Sequence, residues 1–66
     1  MVAPEGSEEK KEARAALVMS ARACRRHMTP AAWLEKMVVL APALVAIVGY
    51  DDLEKIAEYT WRGPNW

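Results

Sequence analysis

Residues 30 to 50, PAAWLEKMVVLAPALVAIVGY, form an apolar segment whose only charges, Glu35 and Lys36, lie near its start. A helix with almost no polar face has to be covered from more than one side. The chain has 66 residues, and at that size apolar burial at about 25 cal/mol per Å² roughly cancels an ordering cost of about 1.5 kcal/mol per residue. Chains this small gain further stability from disulfides, a metal, idealised packing or association. A single cysteine excludes an internal disulfide, so self-association is the expected remedy, with two-fold symmetry as the default.

The same length leaves room for one small helical domain, 1–66, and no second. Nine basic and nine acidic residues cancel, which removes the general attraction that nonspecific nucleic-acid binders depend on. The lone Cys24 fits a reducing compartment, and the charged start MVAPEGSEEKKEARAA lacks the apolar run of an export signal, so the cytoplasm is the expected location.

Pro4 and Gly6 mark residues 1–6 as a loose leader, followed by Ser7 as an N-cap. Glu8, Glu9 and Glu12 then suit the positive end of a helix dipole and Arg25 and Arg26 the negative end, which predicts a first helix over 8–28. On its inner side fall Ala13, Ala16, Leu17, Ser20, Ala23, Cys24 and Met28, mostly small, so a neighbour carrying large side chains can approach closely. Lys11, Arg14, Arg22 and Arg25 fall on the opposite side with Val18 among them.

Thr29-Pro30 is the strongest local signal, since threonine caps free amides and proline at the first helical position has none to lose. A second helix is predicted over 30–48. Trp33, Met37, Leu40 and Leu44 recur at spacings of four, three and four, while Leu34, Val38, Ala41, Val45 and Val48 line another side. Pro42 inside this pattern predicts a kink or break near Leu40. Gly49 suits a left-handed C-cap, and Asp51 with Glu54 a capping box for a third helix over 52–61. In that helix Leu53, Ile56, Ala57 and Thr60 face inward; Asp52, Glu54, Lys55 and Glu58 face solvent; and Trp61 points away from the Leu53 and Ile56 side. Gly63 and Pro64 stop it, leaving an aromatic tail, 62–66. The expected fold is therefore all-α: three helices, the middle one bent, in a helical homodimer.

Functionally the residues point to an interaction module. Trp33, Met37, Leu40, Leu44, Val45 and Val48 are the candidate self-association set. Arg14, Val18, Arg22, Arg25, Tyr50, Trp61, Arg62 and Trp66 are the candidate contacts to a larger protein, because Arg and Trp dominate interface hot spots and arginine stems cover apolar area while their heads pair with acids. A solvated face and a tail folded back over the core are the plainer readings of the same residues. The expectation is a small non-enzymatic regulator or inhibitor, homodimeric, docking on a larger protein such as a host transcription regulator, in the manner of the small modulators that phages and plasmids carry.

Other classes fare less well. The turn Gly49-Tyr50-Asp51 loosely resembles that of a helix-turn-helix, but Asp51, Asp52, Glu54 and Glu58 would set four negative charges near phosphates. A DNA- or RNA-binding regulator would instead use the basic face of helix one; a structural subunit of a larger complex is the other alternative. The uncharged run from Met37 to Tyr50 is about 14 residues, short of the roughly 20 that span a bilayer. Cys24 and His27 stand one turn apart, but two ligands are too few for a metal. Cys24 is read as structural, no phosphate loop or nucleophile elbow is present, and no metal, cofactor or enzyme activity is expected.

Overall fold

The computed structural model describes residues 5–62 and folds them into α1 (Glu5–Cys24), α2 (Pro30–Leu40), α3 (Pro42–Val48) and α4 (Tyr50–Arg62). All regular structure among the described residues is helical, with four helices where the sequence suggests three. The start of the leader and the end of the tail, Trp66 included, lie outside the described residues.

Helix α1 begins at Glu5, so Ser7 belongs to its first turn and is not the N-cap. It ends at Cys24, four residues before the expected Met28. The cause is downstream: Thr29 precedes a proline, which disfavours helical geometry there, and Thr29 is extended at φ −81°, ψ 162°. The chain must leave the helix first. It does so with the amides of His27 and Met28 both donating to the Cys24 carbonyl, at 2.9 and 3.1 Å.

Helix α2 starts as the Thr29-Pro30 signal requires. Thr29 Oγ1 accepts from the Ala32 amide at 3.2 Å, and Pro30 occupies the first turn. Pro42 does more than kink the middle segment. Ala41, restricted by the proline after it, sits at φ −133°, ψ 54°, closing α2 through its amide to the Met37 carbonyl at 2.8 Å and opening α3 through its carbonyl to the Val45 amide at 3.1 Å. The two helices bend by 106° across this one residue.

Gly49 makes the next corner. Its amide donates to the Val45 carbonyl at 2.7 Å, and its carbonyl accepts from the Leu53 amide at 3.1 Å, so it ends α3 and begins α4. Its φ of 93° is positive as expected for glycine, but ψ of 149° makes it extended, not a left-handed helical cap. Helix α4 starts at Tyr50; Asp51 thus lies inside the first turn beside Asp52, where both complement the dipole, and the capping-box position is not Asp51.

The core is Ala13, Leu17 and Ala21 from α1, Trp33 and Met37 from α2, Val48 from α3, and Leu53, Ile56 and Ala57 from α4. Helix α1 packs on α3 and α4, and α2 packs on α4 and α3. The inner face of α1 is rotated slightly from the expected one: Ala21 is fully buried, while Ala16 and Ala23 are exposed. Ser20 and Cys24 are half-buried beside them. On α4 the expected inward residues Leu53, Ile56 and Ala57 are all buried.

Candidate interaction surfaces

Trp33 has no exposed surface, and its indole N–H donates to Ser20 Oγ at 3.2 Å. Ser20 Oγ in turn lies 3.6 Å from the Met37 sulfur. The small residue on α1 thus serves both large residues of α2 through side chains, while the helices that pack directly on α1 are α3 and α4 and not the expected α2. Trp61 stacks at a tilt on Trp33, with ring centroids 5.8 Å apart and an interplanar angle of 43°, and donates its own N–H to the Met28 carbonyl at 2.8 Å. Both indoles therefore satisfy their donors, Trp33 fully buried and Trp61 half-buried against it, as a tryptophan taken out of water requires. Among the described residues no buried side-chain nitrogen or oxygen lacks a partner.

These contacts revise the candidate residues. Trp61, expected to point away from the core, is half-buried against it, because it stands four residues beyond Ala57 on the same side of α4. It closes one edge of this chain's core while keeping part of its surface exposed. Trp33, Met37 and Val48, expected to face a second copy, are enclosed by this chain's own helices, and Leu44 and Val45 are half-buried against the same core. The bend explains it. The regular stripe through Trp33, Met37, Leu40 and Leu44 requires one continuous helix, and the break at Ala41 folds α3 back over α1 and α4.

What the bend leaves outside is the end of α2. Val39 is 74% exposed, Leu40 65% and Val38 43%. Pro42, Ala43 and Ala46 continue an exposed apolar surface along α3. Beside Val39 and Leu40, an open depression of about 520 Å³ is lined also by Ala32, Glu35 and Lys36. Single exposed apolar residues are ordinary, and consecutive helical residues do not share a face; Val39 and Leu40 are joined because both line this depression.

The basic candidates divide in two. Arg14 is tied inward: with Lys10 it flanks Asp52 of α4, at 3.5 and 3.6 Å, so Asp52 is half-buried and not the solvent residue expected. Arg62 pairs with Glu58 one turn back at 3.7 Å. Val18 is half-buried against the core. Arg22 and Arg25, exposed like Arg14 and Arg62, adjoin exposed Arg26 and His27 and differ in making no ion pair among the described residues. Tyr50 is half-exposed at the α3–α4 corner. Cys24 is half-buried and His27 exposed, and among the described residues no three His, Cys, Asp or Glu side chains gather as a metal site would need. Sequence reasoning passed over Val39, whose exposure comes from the side of α2 turned away from Trp33 and Met37.

No described single helix is long and apolar enough to cross a membrane; α2 and α3 together are, but only as a pair bent by 106°. Comparison with protein-family models, curated proteins and solved structures gives no match.

Proposed function

We propose that this chain is a small non-enzymatic regulator that works by binding other proteins, pairing with a second copy through the α2 corner and meeting a larger acidic partner through the arginines at the end of α1. The observation that carries the reading is the exposure of Val39 and of Leu40 at the helix end, both lining one open depression, on a helix whose Trp33 and Met37 are already committed to a closed core. Such a patch loses free energy to water at roughly 25 cal/mol per Å² and gains it back when covered. Because the core is complete without it, covering the patch serves association and not folding.

Arg22, Arg25 and Arg26 stand at and just beyond the negative end of α1 and make no ion pair among the described residues. Guanidinium groups in that state favour carboxylate-rich surfaces, which they engage in bidentate pairs. The same cluster favours the second reading, a nucleic-acid regulator; that reading requires binding to duplex DNA or RNA that falls steeply with salt.

Sedimentation of the full chain over a concentration series tests the pairing. The expected mass rises from 7.4 kDa toward twice that value, and Val39→Asp with Leu40→Asp holds the chain at the lower mass with unchanged helicity. A mass of 7.4 kDa at every concentration refutes the pairing.

A further inference from the structure

Ala32, Glu35, Lys36 and Val39 occupy positions i, i+3, i+4 and i+7 of α2, and all four are exposed. They form one stripe, centred about 130° round the helix from the buried Trp33 and Met37, with the small Ala32 and the larger Val39 along its midline and one charge on each flank. Glu35 and Lys36 make no ion pair among the described residues. A stripe carrying one acid on its left and one base on its right is not neutral with respect to direction when it packs on itself.

Two two-fold arrangements exist. If the helices run antiparallel, the symmetry axis crosses them near the midpoint of 35 and 36, and each flank meets its own equivalent: Glu35 faces Glu35 of the second copy and Lys36 faces its own counterpart. If they run parallel, the axis lies along the helices and opposite flanks meet. Consecutive helical residues are only about 1.5 Å apart along the axis, so Glu35 and Lys36 then face each other at nearly one height, twice over by symmetry. Like charges across an interface disfavour the first arrangement and unlike charges favour the second. In the parallel case Ala32 also meets Ala32, which lets the helices approach, and Val39 meets Val39, with Leu40 widening the apolar contact toward the bend.

We infer that the second copy docks by parallel packing of α2 on α2, held in direction by two reciprocal Glu35–Lys36 pairs. This rests on the self-pairing proposed above and specifies its geometry. The occupant of the depression beside Val39 is then the α2 helix of an identical chain. The two copies thereby place their α1 arginine clusters on the same end of the dimer, since a parallel axis does not invert one copy relative to the other.

Charge variants measured by sedimentation, with helicity checked by circular dichroism, decide it. Glu35→Lys and Lys36→Glu each turn both attractive pairs into repulsive ones, and each is expected to raise the dimer dissociation constant roughly 10-fold or more. The double variant Glu35→Lys with Lys36→Glu restores both pairs and the wild-type constant. Glu35→Gln separates the two directions by sign: it weakens parallel pairing and tightens antiparallel pairing. A dimer whose strength is unmoved by either single reversal, or strengthened by Glu35→Gln, overturns the parallel geometry while leaving self-pairing intact. A wild-type chain that stays monomeric overturns both.

Discussion

The two sides of α2 differ in make-up and meet opposite fates. The inner side places Trp33 and Met37 against Ser20 and Trp61, where every donor finds an acceptor. The outer side places Ala32, Glu35, Lys36 and Val39 in water. The charges of Glu35 and Lys36 account for part of the difference, but not for Val39, an apolar residue left 74% exposed. The rest lies with the neighbour: small Ser20 on α1 receives the Trp33 indole and lies beside the Met37 sulfur on the inner side, whereas among the described residues the outer side stays exposed. Burial in a small protein is thus decided by which side finds a matching surface, and the remainder becomes available for association.

Substitutions on the two sides should separate in size and in kind. Trp33→Ala is the largest: it removes a fully buried ring and the stacking partner of Trp61, and is expected to cost about 3–5 kcal/mol, read by urea unfolding. Gly49→Ala comes next. Nothing lies within 4 Å of the added methyl group, so no clash arises, but the positive φ with extended ψ is essentially glycine's alone and the strain is about 1–3 kcal/mol. Trp61→Phe keeps most of the ring and leaves the Met28 carbonyl without its indole donor, for a loss of about 1–2 kcal/mol. Asp52→Asn unpairs Lys10 and Arg14 at a partly exposed bridge and should cost no more than about 1 kcal/mol. Val39→Asp is expected to leave unfolding within about 0.5 kcal/mol of wild type, its effect showing in association. If Val39→Asp unfolds the chain as Trp33→Ala does, the two sides are not distinct.

How far the sequence foretells this division depends on whether a signal is local. Thr29-Pro30 specifies the start of α2 because capping chemistry is complete within four residues. Leu53, Ile56 and Ala57 are legible from helical spacing alone, and the same spacing carried one step further, from Leu53 through Ala57 to Trp61, contains the burial of Trp61 that a wheel centred on Ile56 misses. Likewise Ala13, Leu17 and Ala21 repeat every four residues, a more regular row than the one that includes Ala16. The position of the break before Pro42 is legible; its 106° bend is not. Proline forbids a continuous helix but does not set the direction of the next one. Direction comes from α3 finding α1 and α4, a long-range choice that also moves Leu44 and Val45 from the expected interface toward the core. The candidate site suffers accordingly: exposed Leu40, Arg22, Arg25 and Tyr50 keep their places on the surface, whereas Trp33, Met37, Val48 and Trp61 are used internally.

Both sides of α2 can be watched at once in amide and indole spectra of the isotope-labelled full chain over a dilution series. The expected outcome is concentration-dependent shifts confined to Ala32, Glu35, Lys36, Val39, Leu40 and their neighbours, with the Trp33 and Trp61 indole protons fixed in position and slow to exchange. Spectra that do not change with concentration, or a Trp33 indole that exchanges freely or shifts on dilution, would contradict a sealed inner side paired with an outer side left open for a second chain.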